Sequence, residues 1–282
     1  MRKVLLATTA LVAMSVSAAQ AADISISGNL EFEFVSRDAG DSMHTDGNVV
    51  IDASMTADSG VTYGVTTSSG IHTGTVEAAY ISVSSADLGT LYLGNIDDDA
   101  PGAMDGALGQ NNDIESERHS SGTATNETHS WRTAIGGGGD QATWISPSLS
   151  GLTVGVSSDA TNDTTAMALT YSIGGTSIYF GSNENQQNMG VKTSIAGFTI
   201  AAGSRRTDGT SNKAADIAVK YAMDNGITVA ALNARGTTTG NVKQTYNNYG
   251  ASYAVAPGVA AKIESGDANG DTFTWLSMEV KF

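Results

Sequence analysis

Acidic side chains are concentrated in one stretch of this 282-residue chain, from Ile96 to about Asp140. The carboxylates that could act on ions are Asp97, Asp98, Asp99, Asp105, Asp113, Glu115 and Glu117. Acidic side chains arranged around an aqueous pore favour cations. Three consecutive aspartates could instead supply oxygen ligands to a Ca²⁺ ion. A solvated surface loop has the same composition, so the residues alone leave all three interpretations open.

Elsewhere the sequence shows no set of residues with the types and spacing of a catalytic site or a cofactor-binding site. The histidines, His44, His72, His119 and His129, lack metal-ligand spacing, and there is no cysteine. Four glycines follow Ile135, but no Lys-Ser/Thr follows them, which argues against a phosphate-binding loop. The run from Asp267 to Asp271 fits a hairpin turn better than a calcium loop. The sequence therefore predicts a non-enzyme without a cofactor, with a structural calcium ion left open.

The charge balance is strongly acidic. Against 29 Asp and Glu stand 14 Lys and Arg, giving a formal net charge of −15. This excess argues against nucleic-acid binding, which needs basic patches. Only 15% of the residues are charged, and there are 33 Gly. Such a composition is typical of many short strands and turns rather than of amphipathic helices.

The N-terminus is predicted to be a signal peptide. Arg2 and Lys3 precede a short apolar run that ends near Val16, and Ala19-Gln20-Ala21 supplies the small residues of a cleavage site. The apolar run is shorter than the ~20 residues of a membrane-spanning helix. Cleavage after Ala21 would separate a signal peptide, 1–21, from a mature domain, 22–282.

The first mature segment, 23–35, alternates between an apolar and a polar face. The apolar face carries Ile24, Ile26, Leu30, Phe32 and Phe34. A period of two residues predicts a β-strand, and a tilted strand of ~9–11 residues crosses a bilayer.

Similar segments repeat along the chain and bring the total to sixteen. They are predicted at 47–58, 60–69, 73–86, 88–95, 141–147, 151–158, 163–173, 175–183, 187–195, 197–205, 213–223, 226–235, 245–255, 258–267 and 271–282. Tight turns, as at Gly174-Gly175, alternate with mostly longer polar loops. Short turns on one side and longer loops on the other are typical of a transmembrane β-barrel.

The alternation has two structural interpretations. Asp216 and Lys220 alternate with Ile217 and Val219, so charged and apolar side chains occupy opposite faces. A barrel turns the charged face to its lumen, whereas a soluble β-sandwich buries the apolar face.

The C-terminal strand favours the barrel. Leu276, Met278, Val280 and the terminal Phe282 share one face, which suits a lipid-facing strand with a ring at the membrane interface. Phe273 and Trp275 have the opposite parity, which suggests a bulge or a position near the rim.

Several sequence blocks resemble those of general bacterial porins, especially the shorter porins of alphaproteobacteria. They are ISISGNLEFEF at 24–34, AAYISVSSADLGTLYLGN at 78–95, ATWISPSLSGLTVGVSS at 142–158 and the terminal Phe282. The resemblance covers essentially the whole mature chain. It implies an all-β fold, a 16-stranded antiparallel transmembrane β-barrel with a long third loop folded into the lumen. It also implies the outer membrane of a Gram-negative bacterium and, in most porins, a homotrimer.

The same resemblance assigns roles to residues. Segment 96–140 becomes the constriction loop, and its carboxylates line the pore. The candidates for a complementary basic wall are Arg37, Arg132, Lys192, Arg205, Lys220 and Lys262. Phe282 is similar to the signal read by the barrel-assembly machinery, and outer-membrane lipid and lipopolysaccharide are further expected partners.

Two departures from the porin pattern concern the barrel wall and the trimer. Gly94-Asn95 stands where many porins have Gly-Arg, and the connection near 69–73, which often latches onto a neighbouring subunit, is short.

The sequence therefore predicts a water-filled, cation-preferring channel for passive diffusion of ions and small hydrophilic solutes. A channel with a dedicated binding site for one solute is an alternative, and a secreted structural or adhesive all-β protein is another. Mostly short outward loops argue against adhesion, because adhesive contacts need surface area.

Overall fold

The computed structural model describes residues 22–38, 40–71, 73–114, 132–238 and 240–282. The predicted signal peptide, 1–21, and the candidate site residues Glu115 and Glu117 lie outside these ranges.

Sixteen β-strands account for most of the described chain. They are β1 (Asp23–Arg37), β2 (Ser42–Thr56), β3 (Thr62–Gly70), β4 (Val76–Ser85), β5 (Gly89–Ile96), β6 (Gly139–Ile145), β7 (Leu152–Asp159), β8 (Thr164–Ile173), β9 (Thr176–Ser182), β10 (Gln186–Ile195), β11 (Phe198–Thr207), β12 (Lys213–Ala222), β13 (Ile227–Thr237), β14 (Lys243–Ala256), β15 (Val259–Ala268) and β16 (Asp271–Lys281). Between β5 and β6 lie a short helix α1 (Ala100–Met104) and a 3₁₀ turn (Gly109–Asn112).

The strands form one closed barrel in which each pairs with its neighbours in sequence. The pairing is antiparallel, and β1 closes on β16 from Asn29 opposite Lys281 to Arg37 opposite Phe273. Each predicted strand overlaps one observed strand, so the prediction of a 16-stranded antiparallel barrel is confirmed. Closure leaves no sheet edge unpaired, and the β-sandwich interpretation is wrong.

The two faces of the strands differ as the alternation predicts. On β12, Ile217 is 53% exposed on the outside, whereas its neighbour Asp216 is 6% exposed. The polar face is the inner one, because side chains of β1, β4 and β15 line a single cavity. Apolar side chains therefore cover the outside of the barrel, as a membrane requires.

The predicted contrast between tight turns and longer loops is mostly wrong. We call the barrel end that carries 97–138 the loop end and the opposite end the turn end. All connections at the loop end apart from 97–138 are short. They are 38–41, 71–75, 160–163, 183–185, 208–212, 238–242 and 269–270. The strands continue instead, since β1 and β2 reach 15 residues each. Backbone pairing does not require apolar side chains, so polar residues such as Lys243 extend the ladder where loops were expected.

Phe273 and Trp275 lie on the inner face without any bulge in β16. The pairing of β16 runs without a register shift on both β1 and β15. Trp275 is completely buried, and the ring of Phe273 stacks on Tyr246 with centroids 5.8 Å apart. The bulge suggested by their parity is therefore wrong: Phe273 belongs to an apolar cluster inside the barrel, and Lys262 Nζ lies 5.9 Å from the centre of the Trp275 ring.

Candidate functional site: the barrel interior

The described part of the segment between β5 and β6 packs against inward-facing side chains. Helix α1 contacts β6, β7, β8 and β9, and the 3₁₀ turn contacts β11, β12 and β13. Ala107 and Leu108 join the buried cluster of Ala168 and Tyr179. The segment therefore follows the inner face from β6 to β13.

Asp216 of β12 fixes the 3₁₀ turn. Its two carboxylate oxygens accept hydrogen bonds from Gly109 N at 2.9 Å and Gln110 N at 3.1 Å. The hydroxyl of Thr133 also donates to this carboxylate. Asp216 thereby attaches to one strand both described parts of the segment, the part that ends at 114 and the part that begins at 132. A carboxylate is well suited to this because it accepts several hydrogen bonds at once.

Two contacts hold helix α1, and a third holds the residues that follow it, at the opposite part of the inner face. Ala100 N donates to Ser157 Oγ at 2.6 Å, and the Tyr179 hydroxyl donates to the Pro101 carbonyl at 2.9 Å. Further along, Lys192 Nζ donates to the carbonyl of Gly106 at 2.5 Å. Lys192 was predicted to face the acidic loop, and it contacts the loop backbone instead.

The three consecutive aspartates lead directly into helix α1. Asp99 caps α1, accepting a hydrogen bond from Gly102 N at 3.0 Å. Burial raises the pKa of Asp98, and neighbouring Asp97 raises it further. Burial also raises the pKa of Asp99, hydrogen bonds from Gly102 and Gly137 oppose this, and Asp98 adds to it. Asp99 thus acts as a structural cap.

The glycine run after Ile135 allows close approach to this cap. A Cβ atom on Gly136 would lie 2.7 Å from Asp99 Oδ1 and 2.9 Å from Gly102 N. The φ angle of Gly136 is 132°, which other residues rarely adopt. Glycine is therefore required where the returning chain passes the start of α1.

Across the part of the chain that the structure describes, no three His, Cys, Asp or Glu side chains are grouped to hold a metal ion. Calcium at Asp97, Asp98 and Asp99 stays a sequence-based prediction.

A cavity of about 480 Å³ lies between the segment and the first and last strands. Its charged lining residues are the acidic Glu31, Asp46, Glu77, Asp113 and Glu279 and the basic Arg132, Lys262 and Lys281. Five carboxylates therefore face three cations. Low-dielectric walls focus the field of such groups, so an excess of this size gives the cavity a negative potential.

Glu77 reaches this cavity because of a bulge. The pairing of β3 with β4 shifts between Ser68 and Ser69, which face Ala78 and Val76. The extra residue at the shift is Glu77, and a bulge re-aims side chains in this way. Glu77 was not predicted as a site residue, since regular alternation would turn it to lipid.

A buried charge cluster joins the strands that close the barrel. Lys262 Nζ of β15 lies 3.1 Å from Glu31 Oε1 of β1 and 3.0 Å from Glu279 Oε2 of β16. The Ser277 hydroxyl donates to the same Glu31 oxygen. Lys262 was predicted as a basic wall residue, and it lies among carboxylates.

The other predicted basic residues are distributed along the inner face. Arg205 and Arg132 are close enough to interact electrostatically, and both line a second cavity of about 450 Å³ with Asp98 and Asp105. Lys220 interacts with Asp113 and Lys192. Arg37 is half-buried near the loop end of β1. Lys192, Arg205 and Lys220 lie on the adjacent strands β10, β11 and β12, and a complementary basic wall stays a sequence-based prediction.

Sequence reasoning missed the strand carboxylates as site residues. Glu31, Asp46 and Glu279 share the parity of the inner face, so the alternation contained the signal for them. No signal in the sequence indicates the inward turn of Glu77.

The terminal residue continues the pairing of the closing strands. Phe282 exchanges backbone hydrogen bonds with Gly28, of 3.0 and 3.1 Å, and its side chain is exposed on the outer face. The predicted lipid-facing orientation of Phe282 is thus observed.

Among the described residues, no helix has the length and apolar character needed to cross a membrane.

Solved structures of porins share this architecture. A mutant of the Rhodopseudomonas blastica porin superposes with a TM-score of 0.72 at 18% identity, over 92% of this chain and 100% of that one. The Vibrio cholerae outer membrane protein OmpT, in its trimer form, superposes with a TM-score of 0.72 at 11% identity, over 93% and 100% of the two chains. At these identities the likeness concerns the fold alone.

Comparison with curated proteins finds no match. A family model described as Gram-negative porin, however, matches residues 7–281, nearly the entire chain. Together with the closed barrel of sixteen strands, this match shows that the chain belongs to the Gram-negative porin family and is an outer-membrane porin.

Proposed function

We propose that this porin allows passive diffusion of ions and small hydrophilic solutes and that its pore prefers cations. The observation that carries the proposal is the cavity between the segment at 109–114 and β1, β2, β15 and β16, where five carboxylates face three cations. In this reading the segment narrows the lumen, and the cavity is the passage that remains beside it.

The charges that set the preference come from both the segment and the strands. Asp113 extends from the segment, whereas Glu31 and Glu279 belong to the closing strands. Lys262 already compensates part of the charge of these two glutamates. Asp113, Asp46 and Glu77 add three further carboxylates to the lining against the two further cations Arg132 and Lys281, and Glu115 and Glu117 of the constriction loop would add to the negative charge.

Passive diffusion is favoured over a dedicated binding site for one solute. Ile114 is the one large apolar residue among the described residues of the cavity lining, and no aromatic ring is present there. Specific small-molecule sites are usually lined by apolar and aromatic side chains with a few polar groups. A polar passage suits hydrated ions and small solutes without strong retention.

A homotrimer and three further partners belong to the same proposal. The similarity to OmpT, which is known in a trimer form, supports the homotrimer. The exposed Phe282 at the end of β16 is accessible to the barrel-assembly machinery. Outer-membrane lipid contacts the apolar outside of the barrel, and lipopolysaccharide contacts its loop end.

The experiment is the swelling of liposomes that contain the refolded protein. Neutral sugars of increasing size are expected to enter at rates that fall smoothly with size, and amino acids of similar size are expected to enter at similar rates. Rapid entry of a single solute against slow entry of all others would instead establish a dedicated site. No swelling above protein-free liposomes would contradict the diffusion proposal.

The charge preference is tested by neutralising the carboxylates that the structure assigns to it. Glu77→Gln and Asp113→Asn together are expected to lower the ratio of cation to anion permeability, measured from reversal potentials in planar bilayers. The control is Asp58→Asn, in the turn-end connection 57–61, which should leave the ratio unchanged. An unchanged ratio in the double variant would show that the cavity does not set the preference.

A further inference from the structure

Small residues form two rows on the inner face where the segment between β5 and β6 lies against the barrel. Gly155 of β7 lies opposite Ala168 of β8. Gly190 of β10 lies opposite Gly203 of β11, which in turn lies opposite Asp216 of β12. We call Gly155, Gly190 and Gly203 the contact glycines. Strand pairing therefore places a small residue on each of β7, β8, β10 and β11 beneath the segment.

Gly190 allows the backbone of the segment to touch the sheet. A Cβ atom at this position would lie 2.8 Å from the carbonyl oxygen of Ala107 and 3.0 Å from its carbonyl carbon. Carbon and oxygen atoms in contact are normally about 3.3–3.6 Å apart, so a larger residue would push the segment away from β10 by about half an ångström. The end of a side chain can rotate away, whereas a backbone carbonyl moves only with its chain. Glycine is therefore required at this position for the observed contact.

Gly203 accommodates the neighbouring part of the segment. Leu108 is completely buried, and its Cδ2 atom would lie 2.9 Å from a Cβ on Gly190 and 2.8 Å from a Cβ on Gly203. A Cβ on Gly203 would also lie 2.8 Å from Asp216 Oδ1. The two glycines thus leave room both for the Leu108 side chain and for the carboxylate that fixes the 3₁₀ turn.

Helix α1 touches the barrel wall in the same way. A Cβ on Gly155 would lie 2.6 Å from Met104 Sδ and 2.9 Å from Ala100 Cβ. Ala100 packs in one buried cluster with Ala168. Close contact with the wall therefore extends along the segment from α1 to the 3₁₀ turn.

The opposite side of the same segment borders the passage. Gln110, Asn111 and Asp113 line the cavity of about 480 Å³, which β1 and β2 line from the other side. The contact glycines lie outside its described lining. The number of strands determines the diameter of a barrel. The space that remains for the cavity therefore depends on how closely the segment lies against β10 and β11.

We propose that Gly190 and Gly203 determine the width of the passage and, with it, the largest solute that the porin admits. They act as positioning residues behind the segment, without contact to the solute. Side chains at these two positions would displace residues 107–110 towards the lumen and narrow the cavity from one side. This role rests on the proposed diffusion of solutes through the cavity, and it adds the residues that set the size limit.

The test compares the size limits of the unchanged porin and of Gly190→Ala by the swelling of liposomes in sugars of increasing size. The φ angle of Gly190 lies outside the left-handed region, so alanine fits the strand. Gly190→Ala is expected to slow the largest admitted sugar more than the smallest, so that the size limit shifts to a smaller sugar. Gly190→Val, with its larger side chain, is expected to shift the limit further. A smaller amount of folded porin would slow all sugars equally, so the ratio of the two rates measures the width.

Gly64→Ala is the matched control. Gly64 lies on the inner face of β3, where the atom nearest to an added Cβ is the side-chain oxygen of Ser82. This hydroxyl can rotate away, and none of the three nearest atoms belongs to the segment. The ratio of rates for the largest and smallest sugar should therefore equal that of the unchanged porin.

The outcomes separate the role of the glycines from the diffusion of solutes. An equal ratio of rates for Gly190→Ala and the unchanged porin would overturn the role of the glycines and leave diffusion established. No entry of any sugar through the unchanged porin would contradict both. If Gly190→Ala does not fold, as judged by its mobility on gels before and after boiling, Gly203→Ala is measured in its place. A lower size limit in this variant would support the proposed role, and an unchanged limit would overturn it.

Discussion

Lys262 of β15 binds Glu31 of β1 across the intervening strand β16, with 3.1 Å between Nζ and Oε1. The same ammonium group lies 3.0 Å from Glu279 of β16, so one lysine joins the three strands at which the barrel closes. All three side chains are about nine-tenths buried. A cation is therefore required here to compensate two buried carboxylates.

Replacing this lysine is expected to weaken the barrel. Lys262→Met leaves Glu31 and Glu279 close together without the buried cation that lies between them, and breaking a buried ion pair from one side costs about 3–5 kcal/mol. The free energy of unfolding, measured by urea denaturation in detergent micelles, should fall by an amount of this order.

Lys281→Met is the matched control for Lys262→Met. Lys281 also binds Glu279, at 3.0 Å, but its side chain is 65% exposed. Exposed ion pairs contribute about 0–1 kcal/mol, so this change should have little effect on the free energy of unfolding. Equal losses in the two variants would refute the role assigned to Lys262.

Asp216→Asn is expected to loosen the segment between β5 and β6. The variant retains one acceptor oxygen for the amides of Gly109 and Gln110 and for the Thr133 hydroxyl. Hydrogen bonds to a charged group contribute about 1.5–3 kcal/mol each. The open-channel current should become noisier, and closure should occur at lower voltage.

Asp224→Asn, in the turn-end connection between β12 and β13, serves as the control for this measurement. It removes an equal charge without touching the segment. If the current noise and the closure voltage of Asp216→Asn equal those of the unchanged porin, the segment is held by other contacts.

The N-terminal cap of α1, Asp99, predicts how the stability of the porin depends on pH. Burial raises the pKa of Asp99 above its ordinary value of 3.8, so the folded porin binds a proton more readily here than the unfolded chain. Ionised Asp99 therefore lowers stability at neutral pH, and this loss disappears as pH falls through the raised pKa towards 3.8. Asn caps helices as well as Asp, so Asp99→Asn should be more stable than the unchanged porin at pH 7.

The difference between the two proteins should shrink as pH is lowered, when urea unfolding is followed from pH 7 to pH 4. Asp99→Ala removes the cap itself and should be less stable than Asp99→Asn by about 1 kcal/mol at every pH. A gap between Asp99→Asn and the unchanged porin that widens on acidification would contradict this account.

The alternation of side chains predicted the strands, and the C-terminal strand together with the resemblance to porins favoured a barrel over a sandwich. Period two predicted all sixteen strands, and the shared face of Leu276, Met278, Val280 and Phe282 correctly indicated an outward apolar surface. The same rule misled at Phe273 and Trp275, because apolar residues at inner positions were taken as irregularities of the strand. Phe273 stacks on Tyr246 and Trp275 lies beside Lys262 inside the barrel, and alternation indicates which face a residue occupies, not which residues pack against it.

The contents of the barrel could be predicted only in part. The acidic segment was located correctly, but its attachment depends on contacts between residues far apart in sequence, such as Gly109 with Asp216 across 107 positions. Glu77 reaches the cavity through a bulge, which adds one residue to a strand and leaves no mark in the composition. Local sequence patterns determine where strands form and which face each side chain occupies, whereas the site depends on the register in which distant strands pair.

The reversal potential of the unchanged porin in a planar bilayer, under a KCl gradient, tests the central claim most directly. The excess of carboxylates over cations in the cavity predicts a potential with the sign of cation permeability, which decreases as the salt concentration rises and screens the charges. A potential with the sign of anion permeability, or a bilayer without conductance steps, would contradict a cation-preferring pore.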